Sequence, residues 1–258
     1  DAEGDEEVIY FRRLLSGVLD PDKLDYLNRD AYFCGIHYGI QDTEYVFHKL
    51  SPHGEYGVAL ESDGLTAVEN ILFSKYLMYR TVYWHKVVRI ATAMIKHPLN
   101  MAMVEGILSP QSLYWLDDEE FFSRFSEETY RPYSLIGRVL SRDLYKTAVE
   151  QPYEEKRHGR LLSLEQRLNE SERIAGVLSK RFRRTVSPWE VIIDIPEPIS
   201  FEIELPILKE AETVPFSHSE SVFSPPVVEG FTSSLRRLRI FLPPEIAESI
   251  EHGEELLS

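Results

Sequence analysis

Hydrophobic positions recur with α-helical spacing through most of the chain and change to strand-like runs towards its end. A polar tail at residues 1–7 precedes a short predicted helix at 9–15. The pair Asp20-Pro21 is typical of a helix start, and the helix that it opens should run to about Phe33 and end at Gly35. Further helices are predicted over residues 43–50, 64–97, 99–108, 117–126, 132–142 and 162–182, with Pro98 ending the longest of them.

The composition changes after residue 187. Strand-like runs lie at residues 191–195, 199–208 and 235–242, prolines separate them, and a closing helix is predicted from about Pro244. One more short strand is predicted within 54–61. The pattern therefore predicts a mainly α fold, in which residues 1–187 are helical and residues 188–258 form a small α/β lobe.

Charge and cysteine content exclude several classes of protein. The net charge of −15 makes general binding to a nucleic-acid backbone unexpected, because phosphate binding needs clustered Lys and Arg. No apolar run reaches the ~18 residues of a membrane span, and the acidic start does not resemble a signal peptide. The single cysteine, Cys34, fits a reducing cytoplasm and is expected to be buried. Trp84 and Trp115 are expected to be core residues.

Acidic and phenolic side chains share one face of the helix that Pro21 opens. Asp22, Tyr26 and Asp30 are spaced i, i+4 and i+8, and Lys23 lies beside that face. A carboxylate could bind a hard cation, an ammonium a phosphate, and a phenol a sugar. The spacing by itself, however, favours a solvated amphipathic helix.

A second group lies on the long predicted helix. Residues 73–96 contain no acid, although the protein as a whole is strongly acidic. Lys75, Tyr79, Tyr83 and Lys86 would share one face of a continuous helix, and such a stripe suits a polyphosphate with its nucleoside. The alternative is that these cations pair with acids of the protein itself.

Three ordered motifs resemble the HD-type dNTP triphosphohydrolases. Residues 20–30 read Asp-Pro-Asp-Lys-Leu-Asp-Tyr-Leu-Asn-Arg-Asp, which is similar to that family's last metal-binding segment, D-x-D-x-x-D-Y-x-x-R-D. Residues 79–85 resemble its next signature, Y-x-x-V-Y-x-H, and residues 142–146 its R-x-L-Y-K segment. The resemblance covers residues 14–146 well and the remainder weakly. It implies that residues 1–187 are the C-terminal part of an HD-type helical domain.

The resemblance implies a role for each matching position. In the family, a divalent metal is held by a His, a His-Asp pair and a later Asp, and Asp22 corresponds to that later Asp. Lys23 would contact phosphate, while Tyr26, Asp30 and Tyr83 would surround the deoxyribose.

Lys75 and Lys86 are weaker phosphate candidates. The implied reaction releases a nucleoside and tripolyphosphate from a dNTP, with the metal activating a water. The sequence does not distinguish Mg, Mn, Fe, Ni and Zn, and it identifies no catalytic residue. A homo-oligomer is also implied.

The sequence departs from the family pattern in its histidines. None of its 8 histidines is followed by Asp, and the 21 residues before Asp22 are too few to hold the first His and the His-Asp pair on helices of their own. We expect the natural protein to contain about a hundred more N-terminal residues that supply these ligands. The alternative is a nucleotide-binding regulator or oligomer scaffold with a degenerate site. A basic run at residues 180–184 could bind a regulatory nucleotide or complement the preceding helix dipole.

Overall fold

The computed structural model describes residues 7–8, 11–12, 15, 19–126, 130–199, 205–209, 212–251 and 253–257. The tail predicted at residues 1–7 and the short helix predicted at 9–15 lie mostly outside the described residues. Within them the fold is mainly α-helical with small sheets, as the sequence predicted. In the part of the chain that is described, no helix has the length and apolarity needed to cross a membrane.

The elements follow one another in a simple order. Up to residue 104 they are α1 (Pro21–Phe33), α2 (Thr43–His48), β1 (Leu50–His53), β2 (Gly57–Glu61), α3 (Leu65–Met78) and α4 (Lys86–Val104). The middle contains α5 (Asp118–Phe125), α6 (Ser134–Leu140), β3 (Lys146–Pro152), α7 (Glu155–His158) and α8 (Leu164–Phe182). The end contains β4 (Ile192–Asp194), β5 (Pro206–Leu208), β6 (Thr213–Pro215), α9 (Pro225–Leu235), β7 (Arg237–Leu242) and α10 (Pro244–Ala247).

The chain packs as two compact units. The first comprises Asp1–Trp84 and Pro198–Leu235, and the second comprises His85–Glu197 and Arg236–Ser258. The boundaries between these units follow Trp84, Glu197 and Leu235, and none of them coincides with the domain boundary predicted after residue 187. The strands beyond that residue do not form a sheet of their own, because β5 and β6 extend the β1–β2 hairpin while β4 and β7 pair with β3.

Helix α1 forms where the sequence predicts it. The Oδ1 atom of Asp20 accepts a hydrogen bond of 2.8 Å from the Asp22 backbone N–H, and Pro21 occupies the first turn. Leu24, Leu27 and Ala31 are buried on one face and belong to the core of the first unit. Gly35, with a φ of 65°, follows the helix end.

Gly39 is the point of closest backbone approach to α1. A Cβ atom there would lie 2.5 Å from the Ala31 Cβ atom and 2.8 Å from the Leu27 carbonyl oxygen. We therefore expect Gly39→Ala to lower the free energy of unfolding by about 1–3 kcal/mol. Gly176→Ala in α8 is the matched control, because its Cβ would meet nothing within 4 Å and alanine favours helix. Urea unfolding of the wild type and both variants tests this expectation. A midpoint of Gly39→Ala equal to that of the wild type would contradict the close packing.

The long helix predicted over residues 64–97 is interrupted, so that prediction was wrong. Residues Tyr79–Tyr83 form a π-helical turn, and His85 is the non-helical N-cap of α4. Within the π turn the Thr81 hydroxyl donates a 2.7 Å hydrogen bond to the Leu77 carbonyl. A π turn has more residues than an α turn, so side chains beyond it leave the original face.

Helix α4 continues through Pro98, the predicted stop, to Val104. Proline removes one backbone hydrogen bond, but Pro98, Leu99 and Ala102 are all buried. The free energy gained by burying this apolar face outweighs the tendency of proline to end a helix. The separate helix predicted at 99–108 is therefore the end of α4, and the strands β1, β3 and β6 were not predicted.

Two buried-residue predictions were also wrong. The C-cap residue of α1, Cys34, is exposed, because the helix has ended and its side chain no longer lies on the buried face. Trp115 is 99% exposed, whereas its neighbours Leu113 and Leu116 pack against the core of the second unit. Trp84 is half-buried.

Candidate functional site

The first turn of α1 presents two acids and one lysine. Asp20 is the N-cap, and the Lys23 Nζ atom lies 3.7 Å from its Oδ2 atom. Asp22, one residue after Pro21, is exposed. The helix start is a favourable place for a carboxylate, because the helix dipole is positive there.

Three tyrosines form a connected group beside this turn. The rings of Tyr26 and Tyr83 lie edge to face with centroids 6.0 Å apart, and those of Tyr79 and Tyr83 do so at 5.0 Å. The phenols of Tyr26 and Tyr79 are close enough for each to shift the pKa of the other. The Tyr83 hydroxyl donates a 2.8 Å hydrogen bond to Asp30 Oδ2. The π turn thus brings Tyr79 and Tyr83 against the face of α1 that carries Tyr26 and Asp30.

Burial keeps these phenols protonated. It is the largest cause that raises the pKa of Tyr26 to about 12, with smaller contributions from Tyr79 and Asp22. The pKa of Tyr83 is raised more than that of Tyr26, mainly by burial and then by the hydrogen bond to Asp30 and its negative charge. Both hydroxyls therefore remain neutral near pH 7 and can act as hydrogen-bond donors.

Lys75 has an unusual environment for a lysine. Burial is the main cause that lowers the pKa of its amine to about 8, and the positive charge of Lys23 lowers it further. Two ammonium groups that repel each other within a partly buried region are well placed to gain from a bound anion. The first unit therefore contains two cations suited to phosphate.

The structure brings the predicted site residues of the first unit together. The negative charge of Asp22 contributes to raising the pKa of Tyr26, and the positive charge of Lys23 contributes to lowering the pKa of Lys75. Helical spacing no longer relates Lys86 to Lys75, because the π turn and the non-helical N-cap His85 interrupt the helix between them, and Lys86 is an exposed residue of the second unit. Its contact with phosphate stays a prediction.

Tyr79 belongs to the stripe identified in the sequence, which gave it no role of its own. It links Tyr26 and Tyr83, and its ring also lies 5.8 Å from the ring of Trp84. The signal in the sequence was its i+4 spacing from Lys75, which placed it on the same stripe.

The described residues do not by themselves form a metal centre. Among them, no three His, Cys, Asp or Glu side chains come together as a possible metal site. Asp22 offers an exposed carboxylate, an oxygen ligand that hard divalent cations accept. The described residues therefore fit a metal only as the source of a single ligand.

A comparison with known protein families shows to which family the chain is related. The family model described as "HD associated region" matches residues 42–256. The chain belongs to this family. The match places the HD associated region over Lys75, Tyr79 and Tyr83, whereas the motif on α1 precedes the matched range.

Relatives of this HD associated region are found in archaea and bacteria. Uncharacterized protein MJ1154 of Methanocaldococcus jannaschii is 32% identical over 146 residues, which cover 55% of this chain and 31% of that protein. Uncharacterized protein YwfO of Bacillus subtilis is 30% identical over 165 residues, covering 55% of this chain and 38% of that protein. The chain thus matches about a third of the length of these curated relatives.

Solved structures share the fold. A hypothetical protein from Aquifex aeolicus superposes with a TM-score of 0.68 at 24% identity, covering 98% of this chain and 61% of that one. A phosphohydrolase from Bacteroides thetaiotaomicron superposes with a TM-score of 0.64 at 18% identity, covering 90% of this chain and 63% of that one. At these identities the likeness shows the fold alone.

Proposed function

We propose that the complete protein is a metal-dependent phosphohydrolase that converts a dNTP to a deoxynucleoside and tripolyphosphate. The observation that carries the proposal is the proximity of Lys23 and Lys75 beside the Tyr26–Tyr79–Tyr83 group. Cations suited to phosphate and phenols suited to a sugar therefore lie in one part of the first unit. Membership of the HD associated region family supports the proposal.

Each of these groups has a distinct task in the proposed reaction. The ammonium groups of Lys23 and Lys75 hold the triphosphate, and their charge stabilises the additional negative charge of the transition state. Tyr83 and Asp30 hold the deoxyribose, because the carboxylate can accept a hydrogen bond from the 3′-hydroxyl in addition to the one from Tyr83.

Asp22 would supply one ligand to a divalent metal, and the remaining ligands would come from an additional segment of the complete protein. When bound, such a metal supplies Lewis-acid activation of phosphate and water. Water adds to the α-phosphorus, the bond from that phosphorus to the 5′-oxygen breaks, and the 5′-oxygen leaves with a proton as the nucleoside hydroxyl. Tripolyphosphate then carries all three phosphoryl groups away.

Product analysis of the complete protein tests this proposal. Each dNTP is incubated with Mg, Mn, Fe, Ni or Zn, and products are identified by phosphorus NMR and chromatography. Tripolyphosphate with deoxynucleoside is the expected result. Release of orthophosphate with a dNDP would contradict it.

A nucleotide-binding regulator is the second candidate function. It is favoured by the lack of a three-ligand metal cluster among the described residues. Saturable dNTP binding without turnover under any metal would support it, and turnover would exclude it.

The amine of Lys75 should give the reaction a characteristic pH dependence. With its pKa lowered to about 8, roughly nine in ten Lys75 side chains are protonated at pH 7 and about one in ten at pH 9. The value of kcat/KM should therefore fall by up to about tenfold over this range, because it reports the free enzyme. Lys75→Arg should remove that fall, since arginine stays charged. Identical profiles for both proteins would exclude Lys75 from phosphate binding.

A further inference from the structure

The second unit contains a small cavity of its own. It has a volume of about 250 Å³ and is lined by residues of α4 and α8 together with Pro188. Pockets that hold drug-sized ligands measure about 300–1,000 Å³, so a ligand of this cavity must be small. Met101, Val104 and Leu168 give the cavity an apolar part. These side chains suit a short hydrocarbon chain, because its burial against them removes apolar surface from water.

Two carboxylates line the same cavity. Glu105 is the C-cap residue of α4, and Glu172 lies in the middle of α8. Both are exposed, and neither forms an ion pair with another described residue. The last turn of α4 contains no basic residue, although the helix dipole is negative there and favours a cation. The cavity therefore favours a ligand that combines positive charge with a hydrocarbon part.

The arginines that adjoin the cavity residues of α8 in sequence are engaged with other groups. Asp194 and Glu197 are the carboxylates that act on the charge of Arg167. Arg173 forms a 2.8 Å ion pair with Glu170. The negative charge of the two cavity glutamates is therefore not neutralised by these neighbours, and a cationic ligand does not have to displace an existing ion pair.

A buried hydroxyl also lines the cavity. Ser171 is 1% exposed, and its Oγ atom has no hydrogen-bond partner among the described residues. A serine within a helix often donates to the carbonyl one turn earlier, as Ser179 of the same helix does to the Ala175 carbonyl at 2.8 Å. The hydroxyl of Ser171 does not make such a bond. A buried polar atom without a partner is unfavourable, so a ligand that supplies the partner gains affinity.

We propose that this cavity binds a small aliphatic diamine, with one ammonium group beside Glu105 and the other beside Glu172. The second ammonium group also donates a hydrogen bond to the Ser171 hydroxyl, and the methylene chain lies against Met101 and Leu168. Two ammonium groups match two carboxylates, whereas a single one would leave a carboxylate unpaired. The proposal does not depend on the phosphohydrolase activity.

Isothermal titration calorimetry of the complete protein with cadaverine, a five-carbon diamine, tests the proposal. We expect saturable binding with a dissociation constant on the order of 100 µM, which weakens as salt is raised. Pentylamine has the same carbon chain and one ammonium group, so it should bind about tenfold more weakly or worse. Equal affinities for the two amines, or no saturable binding of cadaverine, would overturn the proposal.

Three glutamine variants locate the ligand. Glu105→Gln and Glu172→Gln each remove one charge of the cavity and should raise the dissociation constant for cadaverine about tenfold or more. Glu248→Gln is the matched control, because Glu248 is also an exposed C-cap glutamate, at the end of α10, and does not line the cavity. It should leave the affinity unchanged. Equal weakening by all three would show that cadaverine responds only to net charge, and the proposal would fail.

Replacing Ser171 with Ala distinguishes a ligand contact from a contact within the fold. The variant should bind cadaverine several-fold more weakly, because one hydrogen bond to the ammonium group is lost. Its free energy of unfolding should not decrease, since alanine removes an unpartnered hydroxyl and favours helix. Urea unfolding and calorimetry give the two results. An unchanged affinity for cadaverine would contradict the position proposed for the second ammonium group.

Methyl NMR of labelled methionines gives an independent measurement. Met101 lines the cavity, whereas Met78 belongs to the core of the first unit. Cadaverine should shift the Met101 methyl resonance, with the midpoint found by calorimetry, and leave that of Met78 unchanged. Met101→Leu assigns the resonance. Binding of cadaverine that leaves the Met101 resonance in place would put the ligand outside this cavity and overturn the proposal.

Discussion

Replacing Asp22 with Asn in the complete protein should remove both the bound metal and the activity while leaving the fold intact. The substitution keeps the volume of the side chain but removes the charge of an oxygen ligand. Loss of an outer-shell partner of a metal already costs about 10–100-fold, so loss of a ligand should lower activity by at least about a hundredfold. Because Asp22 is exposed, the free energy of unfolding should change by no more than about 1 kcal/mol.

Asp25→Asn is the matched control for this experiment. Asp25 lies on the same helix and forms a 2.7 Å ion pair with Arg29 on the exposed surface. An exposed pair of this kind contributes little to stability, so the variant should keep its metal and its activity. Metal analysis, turnover and urea unfolding of both variants give the result. Full metal occupancy in Asp22→Asn would show that Asp22 is not a ligand.

The second large effect concerns sugar selectivity. The complete protein should prefer deoxyribonucleotides, because the Tyr83 ring would leave little space for a 2′-hydroxyl. Tyr83→Ala should reduce the preference for a dNTP over the matching NTP by about tenfold or more, since it opens this space. Metal content should be unchanged.

Tyr83→Phe separates the ring from its hydroxyl. It keeps the ring and removes the 2.8 Å hydrogen bond to Asp30. We expect it to retain most of the selectivity and to raise KM several-fold, by about the value of one hydrogen bond to a charged group. Parallel turnover of matched dNTP and NTP pairs by the three proteins is the measurement. Equal turnover of both sugars by the wild type would exclude the dNTP assignment.

Local signals in the sequence predicted α1 and the residues that it carries. Asp20-Pro21 and Gly35 determine its ends through capping, fixed φ and a positive φ, all of which depend on adjacent residues. The i, i+4 spacing correctly placed Asp22 and Tyr26 close together. The chemical roles of these residues, in contrast, came from the resemblance and stay proposals.

Features that depend on packing could not be predicted in this way. Five residues are too few for the π turn at Tyr79–Tyr83 to show a distinctive periodicity in the sequence. This turn nevertheless interrupts the helical spacing that was used to place Lys86 on the same face as Lys75. Pro98 was expected to end a helix because its burial is not visible locally. Strand β5 pairs with β2, which is far away in the sequence. Such long-range pairing could not be predicted from local sequence patterns.

The exposure of Trp115 was also predicted wrongly from the sequence. Trp115 lies in a run of apolar residues, Leu113 to Leu116, and a hydrophobic run favours burial. Only the alternation of buried and exposed side chains through the turn shows that the two leucines face the core and Trp115 faces solvent.

The most direct test of the account is a crystal structure of the complete protein with metal and a dNTP analogue blocked at the α-phosphate. Asp22 should contact the metal, the Lys23 and Lys75 amines should lie within about 3 Å of phosphate oxygens, and the deoxyribose should lie between Tyr83 and Asp30. A nucleotide bound at any other place, with these five side chains uncontacted, would contradict it.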